Sequence, residues 1–153
     1  CYGTVLMMQY EASRPDASAS SGGSNETLAC SRPGVLPWTS VTWPEARDAC
    51  CAMNPGGTCP GAGAPGWQLC DAPDWQTSCE SGAGGCNWGY EATCSSSQPV
   101  ACNGKERDSD PALPGDQDAV AAAGAFPMCR AIRGAAGAMY DLSGSVQGCA
   151  RTA

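Results

Sequence analysis

The chain has no histidine, and only one phenylalanine in 153 residues. Without an imidazole, a Ser or Cys nucleophile lacks its usual general base. Zinc and non-haem iron sites that draw on His lose those ligands as well. Isoleucine also occurs once, and Leu, Val, Ile and Phe together supply 14 residues, under a tenth of the chain. So small an aliphatic content at a formal charge of −7 belongs to chains that bury too little apolar surface to fold unaided. Eight Lys and Arg stand against 15 Asp and Glu, so no basic face awaits a phosphate backbone and nucleic acid is excluded as a partner. No apolar run approaches the ~18 residues of a membrane helix and no leader pattern is present, so we expect a processed, secreted chain with no membrane span.

What the chain does have is 12 cysteines, five tryptophans and four tyrosines. Thiols at that density imply an oxidising compartment, where each bridge limits the freedom of the unfolded chain by roughly 2–4 kcal/mol. The cysteines are spread almost evenly and show no Cys-x-x-Cys spacing, which disfavours a zinc or iron–sulfur cluster. We expect Cys1, Cys30, Cys50, Cys51, Cys59, Cys70, Cys79, Cys86, Cys94, Cys102, Cys129 and Cys149 all to be in disulfides. Spacing does not fix their connectivity. Cys50 and Cys51 are adjacent, and a bridge between them would strain the backbone, so each should take a different partner. Cys1 could instead carry a lipid, but that would leave an odd number of thiols.

Local signals are sparse. Tyr2 to Tyr10 and Val35 to Trp43 read as strands, and Ala138 to Leu142 as a last short strand. Ala12 to Gly34 is rich in Ser, Ala and Gly and reads as an exposed loop; it carries Asn25-Glu26-Thr27, an N-glycosylation pattern. Thr42-Trp43-Pro44-Glu45 is a capping box with Pro in the first turn, and predicts a helix to about Met53, ended by Asn54-Pro55-Gly56-Gly57. Asp71-Ala72-Pro73-Asp74 opens a second helix, carrying Trp75 and ending near Ser81. Ala119 to Gly124 reads as a short helical turn. Gly82 to Gly89, Ser95 to Gln98 and Gly104 to Gln117 read as loops. With no internal repeat and no linker, residues 1–153 read as one loop-rich α+β domain.

The order of these motifs resembles the formylglycine-generating enzyme (sulfatase-modifying factor) superfamily, in its cysteine-rich secreted bacterial form. Gln9-Tyr10-Glu11-Ala12-Ser13 is similar to its "R-Y-E-V-T" opening strand. Val41-Thr42-Trp43-Pro44-Glu45-Ala46 with Cys50 resembles its "V-S-W-x-x-A…C" helix. Gln68 to Trp75 resembles "R-L-P-T-E-A-E-W", Asn87-Trp88-Gly89 "P-W-G", and Cys102-Asn103 "C-N". Met139 to Val146 follows "L-Y-D-M-S-G-N-V". The resemblance spans nearly the whole chain and implies a C-type lectin-like fold.

It does not carry the family's oxidase chemistry. The copper-binding cysteine pair of those enzymes lies beyond an "N-V-W-E-W" segment that here reads Ser145-Val146-Gln147-Gly148-Cys149, close to the last residue. We therefore expect no catalytic residue, no copper and no haem. The family's calcium site is matched in part: Asn103 and the Gly104 carbonyl take its first positions, and Asp108, Asp110, Asp116 and Asp118 supply hard oxygen donors in the next loop. A second family calcium turn is disfavoured by Ser145 and Gly148.

Other constellations are weaker. Glu80, Glu91 and Glu106 could pair with Asp residues as glycosidase carboxylates, but by residue type alone. Trp38, Trp67 and Trp88 could stack on a sugar, although a core this poor needs them. We therefore expect a non-catalytic extracellular module that associates with itself in a fibre or surface layer, or with another extracellular protein or glycan. A calcium-dependent receptor module is the alternative, and a family-type oxidase the least favoured.

Overall fold

The computed structural model describes residues 7–61, 64–79, 101–104, 107–115, 119–132 and 137–141. They form a mixed α+β arrangement with strands β1 (Ala12–Ser13) and β2 (Cys30–Ser31), helices α1 (Trp43–Cys51) and α2 (Ala72–Cys79), and strands β3 (Arg130–Ile132) and β4 (Ala138–Tyr140). The strands make two antiparallel pairs, β1 with β2 and β3 with β4.

Helix α1 starts where the capping box predicts. Both the backbone N–H and the hydroxyl of Thr42 donate to the Glu45 carboxylate, at 2.7 and 2.6 Å. Thr42 is extended at ψ 159°, and its carbonyl accepts the first helical bond, from Ala46. After Cys51 the chain tightens through bonds from Met53 to Cys50 and from Asn54 to Cys51. The helix thus ends at Cys51, two residues short of the expected Met53, and Gly56 and Gly57, both at positive φ, turn the chain further on. Helix α2 opens with the Trp75 N–H on the Asp71 carbonyl, as its motif predicts. Its far end past Cys79 lies outside the described residues.

The strand expectations fared less evenly. Met7 to Tyr10 is not a strand; the regular pairing begins at Ala12, and residues 1–6 lie outside the described residues. The serine- and alanine-rich segment from 12 to 34 is not simply an exposed loop. Its ends pair as β1 and β2, and Ser13, Ala17 and Ala29 are buried. Small side chains let these backbones approach closely, and Arg14 gathers the loop by donating to the carbonyls of Gly22 and Gly23.

Val35 to Trp43 runs alongside residues 12–18 without becoming a strand. Leu36 donates to Ser18 and Trp38 to Ala12, but the residue between them is the fully buried Pro37. Proline offers no N–H, which breaks the ladder. Ala119 to Gly124 is not helical either; the Ala123 carbonyl accepts from Gly34 and its N–H donates to Val35. Strand β4 matches the expected last strand, and its partner β3 was not foreseen. Three alternations are too few to register as a pattern.

The described core is small. Ala29, Trp38 and Ala49 form it, with Met8, Val41 and Met53 packed against it. Ala29 is tied directly to α1 by its N–H on the Ala49 carbonyl. Two bridges are present among the described residues, Cys51–Cys59, which starts from the end of α1, and Cys102–Cys129, which closes 27 residues. The second bridge joins the residue before Asn103 to the residue before β3.

Candidate functional site

Beside the core a groove of about 230 Å³ is lined by Glu26, Thr27, Trp38, Glu45, Asp48 and Ala49. Helix α1 supplies Glu45, Asp48 and Ala49, because positions three and four apart share one helical face. Trp38 forms the inner wall. Only 7% of it is exposed, and the Arg14 guanidinium lies 4.7 Å above its ring. That stacking covers the face a sugar would use and places Trp38 in the core. Trp67 is half-buried, and Trp88 lies outside the described residues.

The three acids of the groove already have partners. Glu26 pairs with Arg14 at 2.9 Å, Asp48 with Arg47, and Glu45 holds Thr42. The Thr42 hydroxyl and N–H keep the Glu45 carboxyl below its ordinary range, as expected of a capping carboxylate. Elsewhere the pattern repeats. Asp16 accepts from the backbone N–H groups of Ser24 and Asn25, which lower its pKa. Asp141, 4% exposed, accepts from the Gly124 N–H; burial raises its pKa and that hydrogen bond opposes the rise.

Where described, the residues of the expected calcium site hold the loop itself. The Asn103 amide nitrogen donates to the Ala119 carbonyl at 2.7 Å, which closes the ends of the acidic loop. The Asp108 carboxylate accepts from the Asp110 N–H, and Asp110 from the Ala112 N–H, so both serve as turn formers. The Gly104 carbonyl accepts from the Arg107 N–H. Asp116 and Asp118 lie outside the described residues. Among those described, no three Cys, Asp or Glu side chains are placed to share a metal ion. Glu80, Glu91 and Glu106 are likewise outside.

Asn25 is exposed, with its side-chain oxygen accepting from both the N–H and the hydroxyl of Thr27. Its amide stands in a loop accessible to a glycosylating enzyme. The cysteines divide. Cys51, Cys59, Cys102 and Cys129 are bridged as expected, whereas Cys30, Cys50 and Cys70 are thiols in this structure. Burial pushes the Cys50 thiol up, and pushes that of Cys70 up to about 11 with help from Cys50, Asp74 and Asp71. Neither environment is the electropositive, open kind that makes a thiolate nucleophile. Cys1, Cys86, Cys94 and Cys149 lie outside the described residues, as does the Cys79 side chain.

Sequence reasoning missed Asp141 as more than a motif letter, and missed Gly124 and Tyr10 as its surroundings. The positive φ of Gly124, 75°, is the kind of turn a lone glycine can signal, but nothing in the sequence says which residue it faces. No protein-family model, curated protein or solved structure matches the chain. No helix among the described residues is long and apolar enough to cross a membrane.

Proposed function

We propose that the chain is a non-catalytic, secreted module of C-type lectin-like fold that works by presenting a rigid surface, and that it assembles with further copies of itself. The observation that carries the reading is what its acids do. Asp16, Glu26, Glu45, Asp48, Asp108, Asp110 and Asp141 each hold a loop, a turn, a helix end or a neighbouring guanidinium. A hydrolase would need a pair of such groups converging on a substrate. Here they fasten loops, alongside the bridges. The contact between Tyr10 and Tyr140, one from each end of the motif series, supports the lectin-like reading, with rings stacked at 5.1 Å.

Individually exposed apolar side chains support the assembly part of the reading. Leu113, Val120 and Met128 are 53%, 41% and 59% exposed along one stretch of chain. Size-exclusion chromatography and electron microscopy of native material test it, with oligomers or fibres expected. A monomer at every concentration ends the assembly reading.

Calcium enters through the resemblance and through the oxygen-rich loop from Asn103 to Asp118. A thermal shift on calcium addition, reversed by a chelator, supports it; no shift removes calcium and leaves the module. Copper-dependent oxygen consumption with a cysteine peptide is expected to be absent, and turnover would overturn the non-catalytic reading.

A further inference from the structure

Cys50 and Cys51 are neighbours on α1, so their side chains diverge by about 100° around the helix. Cys51 is bridged to Cys59 in the loop that follows. Cys50 is buried, and the structure holds it as a thiol. The chain beyond the helix folds back toward its end. Asn54, just past the helix end, donates its amide to the carbonyls of Thr58 and Trp67 and accepts from the Trp67 N–H at 2.6 Å. This clamp brings Trp67 back against the end of α1.

Cys70 is three residues beyond Trp67, within about 10 Å of it even if fully extended. It is also a half-buried thiol, and Cys50 is the first of the charged neighbours that it feels. The third described thiol, Cys30, lies beside Ala29, whose N–H meets the Ala49 carbonyl. Cys30 is not among the groups acting on Cys70.

We propose that Cys50 and Cys70 form a disulfide in the oxidised protein, nested around the Cys51–Cys59 bridge and fastening the start of α2 to the end of α1. The proposal is independent of the functional reading above. In balanced form, the two thiols lose two protons and two electrons to a donor disulfide such as oxidised glutathione, which leaves as two thiols. Exchange begins at Cys70, the less buried residue of the two, through the small thiolate fraction that its raised pKa leaves. Its thiolate attacks the donor disulfide, forming a mixed disulfide and releasing one donor thiol. The Cys50 thiolate then attacks the Cys70 sulfur and releases the second.

Non-reducing chymotryptic mapping of the full chain, folded under a glutathione redox buffer, tests this. Cleavage after Trp67 and Trp75 isolates Cys70 from Cys59. The expected result is the Gln68–Trp75 fragment joined to the fragment bearing Cys50, with about 2 Da gained when that bridge is reduced. Electron-transfer fragmentation between Cys50 and Cys51 assigns the bridge in the unmodified protein, so the test does not depend on a variant folding. In C50S, Cys70 becomes alkylatable without reduction, whereas in C51S it stays linked. Cys70 alkylated in the oxidised wild type, or joined to Cys30 or any other cysteine, overturns the proposal.

Discussion

Asp141 reaches back to the turn at Gly124, its Oδ2 2.6 Å from that backbone nitrogen, while its own N–H donates to the Cys129 carbonyl. One buried carboxylate thus links β4, the 123–124 turn and the Cys102–Cys129 bridge. Its backbone sits at φ 61°, a region that Asp and Asn tolerate better than most residues. Burial raises its pKa above the ordinary 3.8. A carboxyl raised on folding contributes stability that is full below pH 3.8 and is lost as pH climbs through its folded value. In D141N the amide keeps an acceptor and the left-handed backbone but cannot ionise. The melting temperature of the wild type relative to D141N should therefore fall as pH rises from 3 to 7. A flat or rising difference would contradict the assignment. D141A, which leaves the Gly124 N–H without its acceptor, should cost about 1–3 kcal/mol by denaturant titration.

Gly124 is required for two reasons that can be separated. At φ 75° any other residue is strained, and a Cβ there would meet Tyr10 Cε1 at 2.9 Å. G124A should cost about 1–2 kcal/mol from the backbone alone, and more from displacing a ring that stacks on Tyr140. Y10A removes the collision but not the strain. The double variant should be less destabilised than the sum of the single ones. Strict additivity would mean that the ring does not obstruct the site.

Asp16 provides the opposite pH response. Its carboxylate accepts from the N–H groups of Ser24 and Asn25, which lower its pKa below 3.8. A lowered carboxyl contributes above pH 3.8 and loses that contribution as pH falls through the folded value. Amide exchange at Ser24 and Asn25 should therefore accelerate on acidification beyond the intrinsic trend. In D16N that extra acceleration should disappear; equal profiles in both proteins would remove the role.

The helices were legible in the sequence because their signals are local. Thr42 and Glu45 sit within one turn, and so does the Asp71-to-Asp74 motif. The strands depended on partners elsewhere. Ala12 and Ser13 pair with a segment some 18 residues away and are neither β-branched nor aromatic, so nothing in their own type announces them. Val35 to Trp43 had the right composition, and Pro37 decided against a ladder. The groove was hidden for the same reason, since Glu26 and Asp48 meet only after the Ala29–Ala49 contact forms. Trp38, foreseen both as sugar platform and as core, became core once Arg14 covered its ring. Its replacement by Ala should cost about 3–5 kcal/mol.

The Cys102–Cys129 bridge closes the longest described disulfide loop, 27 residues, around the acidic segment. By loop-closure entropy, removing it in C102S/C129S should destabilise the chain by roughly 3–4 kcal/mol. Asn103 makes the loss larger than the bridge alone would give, because its amide bond to the Ala119 carbonyl relies on the same anchored position. The N103A substitution should therefore cost about 1 kcal/mol with the bridge present and less with it absent. Guanidinium titrations of the four proteins of this cycle measure the coupling. Full additivity would show that the bridge and the amide hold the loop independently, and that the loop's shape does not depend on the disulfide.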